Sequence, residues 1–101
     1  MTICVYGFGS YFKETDAYQD IDILIVHALT DYISCLEAIS LKKSIAQEME
    51  NTDISILSKS AELEFNFIEK SKAFLLIEIE GGYSDSVLTE ILHKVHTYKK
   101  T

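Results

Sequence analysis

The residues best suited to chemistry are three acids and a glycine-serine pair. Asp20 and Asp22 flank Ile21 in "DID", Asp53 opens "DISIL", and Gly9-Ser10 precedes Asp20 by nine intervening residues. If "DID" begins a strand, its period of two sets the side chains of Asp20 and Asp22 on one face, about 7 Å apart. Like charges that close repel, and burial would push protons onto them unless a cation neutralises the pair. A divalent metal is the economical explanation. The backbone N–H groups of a Gly-Ser turn can hold phosphate. Together these features describe a triphosphate site, with amides and Ser10 for phosphate and carboxylates for Mg2+. Taken singly, Gly-Ser is an ordinary turn and Asp at a strand entrance an ordinary cap. The ordered combination carries the reading.

Elements must bring these residues together. "TICVY" reads as a first strand closed by the glycines of "GFG", with a short helix or turn after Ser10. "DIDILIV" is a second strand, apolar on both faces after its acids and therefore central in a covered sheet. A helix capped by Thr30 or Asp31 is expected to run to Met49, burying Ile33, Leu36, Ile39, Ile45 and Met49. "TDISIL" is a third strand with Asp53, Ser55 and Leu57 on one face. Ser58 then caps a helix "AELEFNFIEKSK", and a fourth strand "AFLLIEI" ends before Gly81-Gly82. Ser84 or Asp85 opens a last helix, to about residue 99, with Val87, Leu88, Ile91, Leu92 and Val95 in one stripe. An antiparallel first pair would set Gly9 and Ser10 beside the acids, and a third strand alongside the second would add Asp53.

Composition sets the bounds. The 101 residues suffice for a single domain with one modest core, and 48% apolar content with no proline argues against disorder. Sixteen acids against nine bases leave a net charge of -7, and the nine bases are all lysine. Without the arginine fork that grips phosphate bidentately, duplex nucleic acid is not an expected partner. An acidic surface suits a basic protein partner or a bound divalent cation, or serves solubility alone. The apolar runs fall well short of the roughly 20 residues of a membrane helix. The start "MTICVYG" lacks the features of a signal peptide, so a cytoplasmic protein with no membrane contact is expected. Cys4 and Cys35 lack metal or redox spacing and are expected to be reduced and buried.

In "GS" at 9 and 10, "DID" at 20 to 22 and "TDIS" at 52 to 55, the chain resembles the minimal nucleotidyltransferases of the DNA polymerase beta superfamily. The likeness covers about residues 3 to 79 and implies a mixed α/β (α+β) nucleotidyltransferase palm, about four strands flanked by helices. By that resemblance Gly9 and Ser10 hold the nucleotide phosphates, and Asp20 and Asp22 bind Mg2+. Asp53 completes the metal-binding acids of a two-ion site and assists the incoming hydroxyl. Relatives often carry arginines after Gly-Ser; here "YFKET" leaves Lys13 as the nearby base for the nucleotide. Family members transfer a nucleoside monophosphate and release pyrophosphate. Many of the smallest are antitoxins that add AMP from ATP to a tyrosine of a helical HEPN toxin. The resemblance implies that activity and partner, with a homo-oligomer also open. The alternatives are a binding module that neutralises its partner by contact, and the nucleotidyltransferase half of a split enzyme acting on a small alcohol.

Other residues have plainer expectations. His93 and His96 are three apart on the last helix and could ligate a metal, although exposed helical histidines are the simpler reading. His27 ends a strand. Tyr6, Tyr11 and Phe12 could stack on a base, with core packing as the simpler reading.

Overall fold

A computed structural model of the chain describes residues 2–12, 21–28, 32–80 and 85–98. It is a mixed α+β structure. Strands β1 (Thr2–Phe8), β2 (Ile21–His27), β3 (Thr52–Ser58) and β4 (Phe74–Glu80) form one sheet in the order β3-β2-β1-β4. β1 runs antiparallel to both β2 and β4, whereas β2 and β3 are parallel and joined by the long helix α1 (Tyr32–Glu48). Helices α2 (Lys59–Phe65) and α3 (Phe67–Ser71) connect β3 to β4, and α4 (Asp85–Tyr98) follows β4.

The strand periodicity explains this arrangement. Ile23, Leu24 and Ile25 of β2 are all fully buried, as befits an interior strand covered on both faces. In β1 the alternation is one-sided: Ile3 and Val5 are buried, while Thr2, Cys4, Tyr6 and Phe8 are half-buried on the other face. The core lies on the Ile3–Val5 face. There α1 contributes Ala38, Leu41, Ile45 and Met49, and α4 contributes Ile91 and Val95. Val87, Leu88 and Leu92 pack against this cluster, so the expected α4 stripe forms as read. The opposite face is covered less completely, by α2, which packs against β2 and β3, and by α3, whose Phe67 ring meets Phe8 edge-on.

Three sequence expectations need correction. Helix α1 buries only two of the five expected residues: Ile45 and Met49 are in the core, but Ile33, Leu36 and Ile39 are 66%, 43% and 37% exposed. Ala38, Leu41, Ile45 and Met49 follow the three-four-four spacing that stays on one face. Ile33, Leu36 and Ile39, each three apart, cluster on the opposite side of the helix. The single helix expected after Ser58 is two, broken at Asn66, which takes a left-handed backbone with φ 55°. Asparagine tolerates that conformation, and its N–H closes α2 onto the Glu62 carbonyl. The break lets Glu62 act twice, because its carboxylate accepts from the Ile68 N–H at 2.9 Å and so caps α3. Finally, Cys4 and Cys35 are free, as expected, but half-buried rather than buried.

Element ends differ from the reading by a residue or two. β1 runs on through Gly7 to Phe8. Gly7 stays in the strand because the Phe12 ring packs directly over it: a Cβ there would sit 2.7 Å from the ring. Ser58 caps α2 as expected, its side chain accepting from the Ala61 N–H at 3.1 Å. The Thr30 and Asp31 caps lie outside the described residues, as does Ser84. No helix among the described residues is long and apolar enough to cross a membrane.

Candidate functional site

Two register relations assemble the site. In the antiparallel β1–β2 pair, Phe8 stands opposite Asp22, so the chain leaving β1 passes the start of β2. In the parallel β2–β3 pair, Asp22 is in register with Asp53. Parallel partners point to the same face and stand about 4.8 Å apart. The two carboxylates are therefore neighbours at one sheet end, on the face away from the main core. Asp53 is exposed and Asp22 half-buried. Both conditions set by the sequence, an antiparallel first pair and a third strand beside the second, are met.

Local hydrogen bonds hold this end in place. The Ile21 N–H donates to the Asn51 carbonyl at 2.7 Å, fastening the entry of β2 to the turn before β3. Asn51 has a left-handed backbone with φ 60°, and Thr52 Oγ1 donates to the Met49 carbonyl at 3.4 Å. That turn swings the chain from α1 into β3 and delivers Asp53 next to Asp22.

Gly9 lies on the other side of Asp22. Its φ of +80° is one that side chains rarely adopt, and its carbonyl accepts from the Phe12 N–H at 3.2 Å, closing a 3-10 turn over Ser10–Phe12. A Cβ on Gly9 would fall on Asp22 Oδ2 and stand 3.0 Å from Asp22 Cγ. The bare backbone of the turn is thus packed against the carboxylate. The turn is anchored from behind by Tyr11 and Phe12, which are 6% and 4% exposed. The Tyr11 hydroxyl donates to the Val95 carbonyl of α4 at 3.0 Å, and Phe12 meets the Tyr11 and Phe74 rings edge-on. These two aromatics are core residues and not platforms for a base. Tyr6, half-buried, faces the other side of the sheet.

The described structure thus brings together Gly9, Asp22 and Asp53. Asp20 and Lys13 lie outside the described residues, and of Ser10 only the backbone is described. Among the described residues no group of three His, Cys, Asp or Glu side chains could hold a metal. The two paired acids offer hard oxygen donors of the type Mg2+ takes. His93 and His96 are exposed on α4, and His27 is a buried strand end. Sequence reasoning missed Gly7, which admits the Phe12 ring; a glycine in a strand is the signal for such a close approach. No protein-family model, curated protein or solved structure matches the chain.

Proposed function

We propose that the chain is a Mg2+-dependent nucleotidyltransferase palm. It transfers AMP from ATP to a hydroxyl, with a tyrosine of a helical HEPN toxin as acceptor, and thereby acts as an antitoxin. The observation that supports this most is the pairing of Asp22 with Asp53 on one sheet face, with the Gly9 backbone packed against Asp22. A fold that sets two carboxylates side by side incurs their repulsion, and charge compensation by a cation removes it. Asp22, with Asp20 two residues before it in the sequence, would hold Mg2+, which when bound stabilises charge on the attacking and leaving oxygens. Asp53, the most exposed of the three assembled residues, would orient the incoming hydroxyl. Gly9, Ser10 and Lys13 would face the phosphates. The alternative, neutralisation by contact alone, draws on the exposed Ile33, Leu36 and Ile39 of α1.

The test is incubation with labelled ATP, Mg2+ and the protein encoded by the adjacent gene, followed by mass analysis of that protein. Gain of whole AMP units with wild type, and none with Asp22→Asn or Asp53→Asn, is the expected result. An Asp20→Ala, Asp22→Ala double variant that still protects cells fully, with no mass change under wild type, would leave contact neutralisation standing.

A further inference from the structure

On the same sheet face as Asp22, but at the far end of the strands, lies a trough of about 360 Å3. It exists because α2 covers β2 and β3 and leaves β1 and β4 as an open floor. Cys4 is at the centre of that floor, in register with Val26 on one side and Glu78 on the other. Tyr6 continues it along β1, and Glu62 and Leu63 of α2 with Ile68 of α3 form the wall. The Phe8–Phe67 ring pair, with centroids 5.1 Å apart, stands beyond Tyr6 along β1. Cys4 and the Asp22 level are four residues apart on the strand, about 13 Å. The trough is therefore distinct from the Asp22–Asp53 end.

We propose that this trough binds an alkylammonium group: a primary amine on an aliphatic stem of about four or five carbons. The volume is near the lower end of the range for small-ligand sites, roughly 300–1,000 Å3. Its polar floor and wall are weighted towards acceptors. Glu78, exposed on β4, lines the trough close enough for the Cys4 thiol to donate to its Oε2 at 3.9 Å. Glu62 is only 9% exposed, and its Oε2 accepts from the Ile68 N–H, so the carboxylate keeps acceptor capacity for a second donor. A buried acid of this kind is best satisfied by a charged donor, since charge-assisted hydrogen bonds are about twice as strong as neutral ones. Against these two acids stands one base, Lys59. The acids also act on their neighbours: burial and then Glu78 hold the Cys4 thiol above its ordinary value, and at Tyr6 burial, then Cys4, and then Glu62 and Glu78 push in the same direction. Val26, Ala28, Leu63 and Ile68 supply apolar wall for the stem. An anionic ligand would meet one lysine and two carboxylates in a chain of net charge -7.

The experiment is an amide-resolved NMR titration of the full chain with 1,5-diaminopentane, with Nα-acetyl-lysine amide, and with neutral 1-pentanol. Saturable shifts at Thr2, Cys4, Tyr6 and Glu78 are expected with the two amines and not with the alcohol. Glu78→Gln, at an exposed edge-strand position, should weaken amine binding at least about fivefold, whereas Asp53→Asn should leave it unchanged. The thiol gives an independent readout. A cationic aminoethyl methanethiosulfonate should modify Cys4 at least about tenfold faster than the anionic sulfonatoethyl reagent, relative to the same ratio at Cys35. The raised thiol pKa slows both reagents alike and cancels in that ratio. Equal binding of alcohol and amine, or amine binding and a Cys4 rate ratio both unmoved by Glu78→Gln, would overturn the proposal. Tighter binding of the lysine derivative than of the diamine would identify a protein side chain as the source of the amine, and the reverse order a free amine.

Discussion

Gly9 is the residue whose replacement has the clearest consequence. Its φ of +80° disfavours any side chain, and the space a Cβ would need is held by the Asp22 carboxylate. Left-handed backbone costs a non-glycine residue about 1–2 kcal/mol, and a domain of this size loses roughly 4–8 °C of Tm per kcal/mol. Gly9→Ala should therefore lower Tm by about 5–15 °C and displace Asp22. Ser10→Ala, which removes only a hydroxyl, should cost less in both Tm and triphosphate affinity; thermal melts and calorimetry with a non-hydrolysable triphosphate and Mg2+ give the order. Asp22→Asn tests the neighbouring carboxylate. Relief of repulsion from Asp53 should leave Tm unchanged or slightly raised. Transfer should fall by more than about 100-fold, beyond the 10- to 100-fold typical of residues one shell further from a metal. A marked loss of Tm with transfer intact would make Asp22 a structural cap.

At the scale of elements, the α2–α3 pair is the least conventional part of the fold. Each helix is under two turns, too short to persist on its own propensity, so capping and packing must hold it. Glu62 supplies the cap of α3 through the Ile68 N–H. Glu62→Ala should cost about 0.5–2 kcal/mol, the usual range for a lost N-cap, and speed amide hydrogen exchange at Ile68 before exchange in β1 or β2 changes. Coincident changes in all three would mean that α2–α3 unfolds only with the whole sheet. The edge strand β4 has its own protection. Its register shifts against β1 between Val5 and Tyr6, and Lys94 of α4 donates to the Leu76 carbonyl at 3.0 Å. A bulge together with a lysine on the backbone is an effective deterrent to pairing with another chain.

For the whole molecule, the open trough links stability to alkaline pH. Burial, then Glu78, raises the Cys4 thiol above its ordinary 9.0. Burial, then Cys4 and Glu62, raises the Tyr6 phenol above 10.0. In both cases the folded state favours the neutral form. Below about pH 8 the folded and unfolded chains hold these protons equally. As pH rises further the unfolded chain releases them first, and the free energy of unfolding falls. Tm should thus decline from about pH 8 upward, and Cys4→Ser, which removes one of the two groups, should make that decline shallower. An identical slope in the variant would show that the thiol plays no part. Mg2+ offers a second global readout. Ten times its Kd should stabilise the wild type by about 1.4 kcal/mol, a gain of roughly 6–11 °C that Asp22→Asn should abolish.

Much of this fold was legible because it rests on short-range periodicity. The buried run after "DID" marks an interior strand, the alternation in "TDISIL" sets Asp53 and Ser55 on one face, and Ser58 announces its helix. These signals are local, and strand period and capping chemistry convert them directly into structure. The α1 face was not legible, because apolar residues lie all round that helix and only contact with β2, β3 and α4 selects which of them are buried. The break at Asn66 was hidden for a similar reason: α3 needs the Glu62 side chain six residues back to cap it, a relation with no sequence signature. The candidate site divides in the same way. Residue types and spacing alone put the acids at strand entrances and glycine in the turn. That Asp22 stands beside Asp53 and against Gly9 was decided by strand direction and register, which depend on hydrogen bonds between segments distant in the sequence.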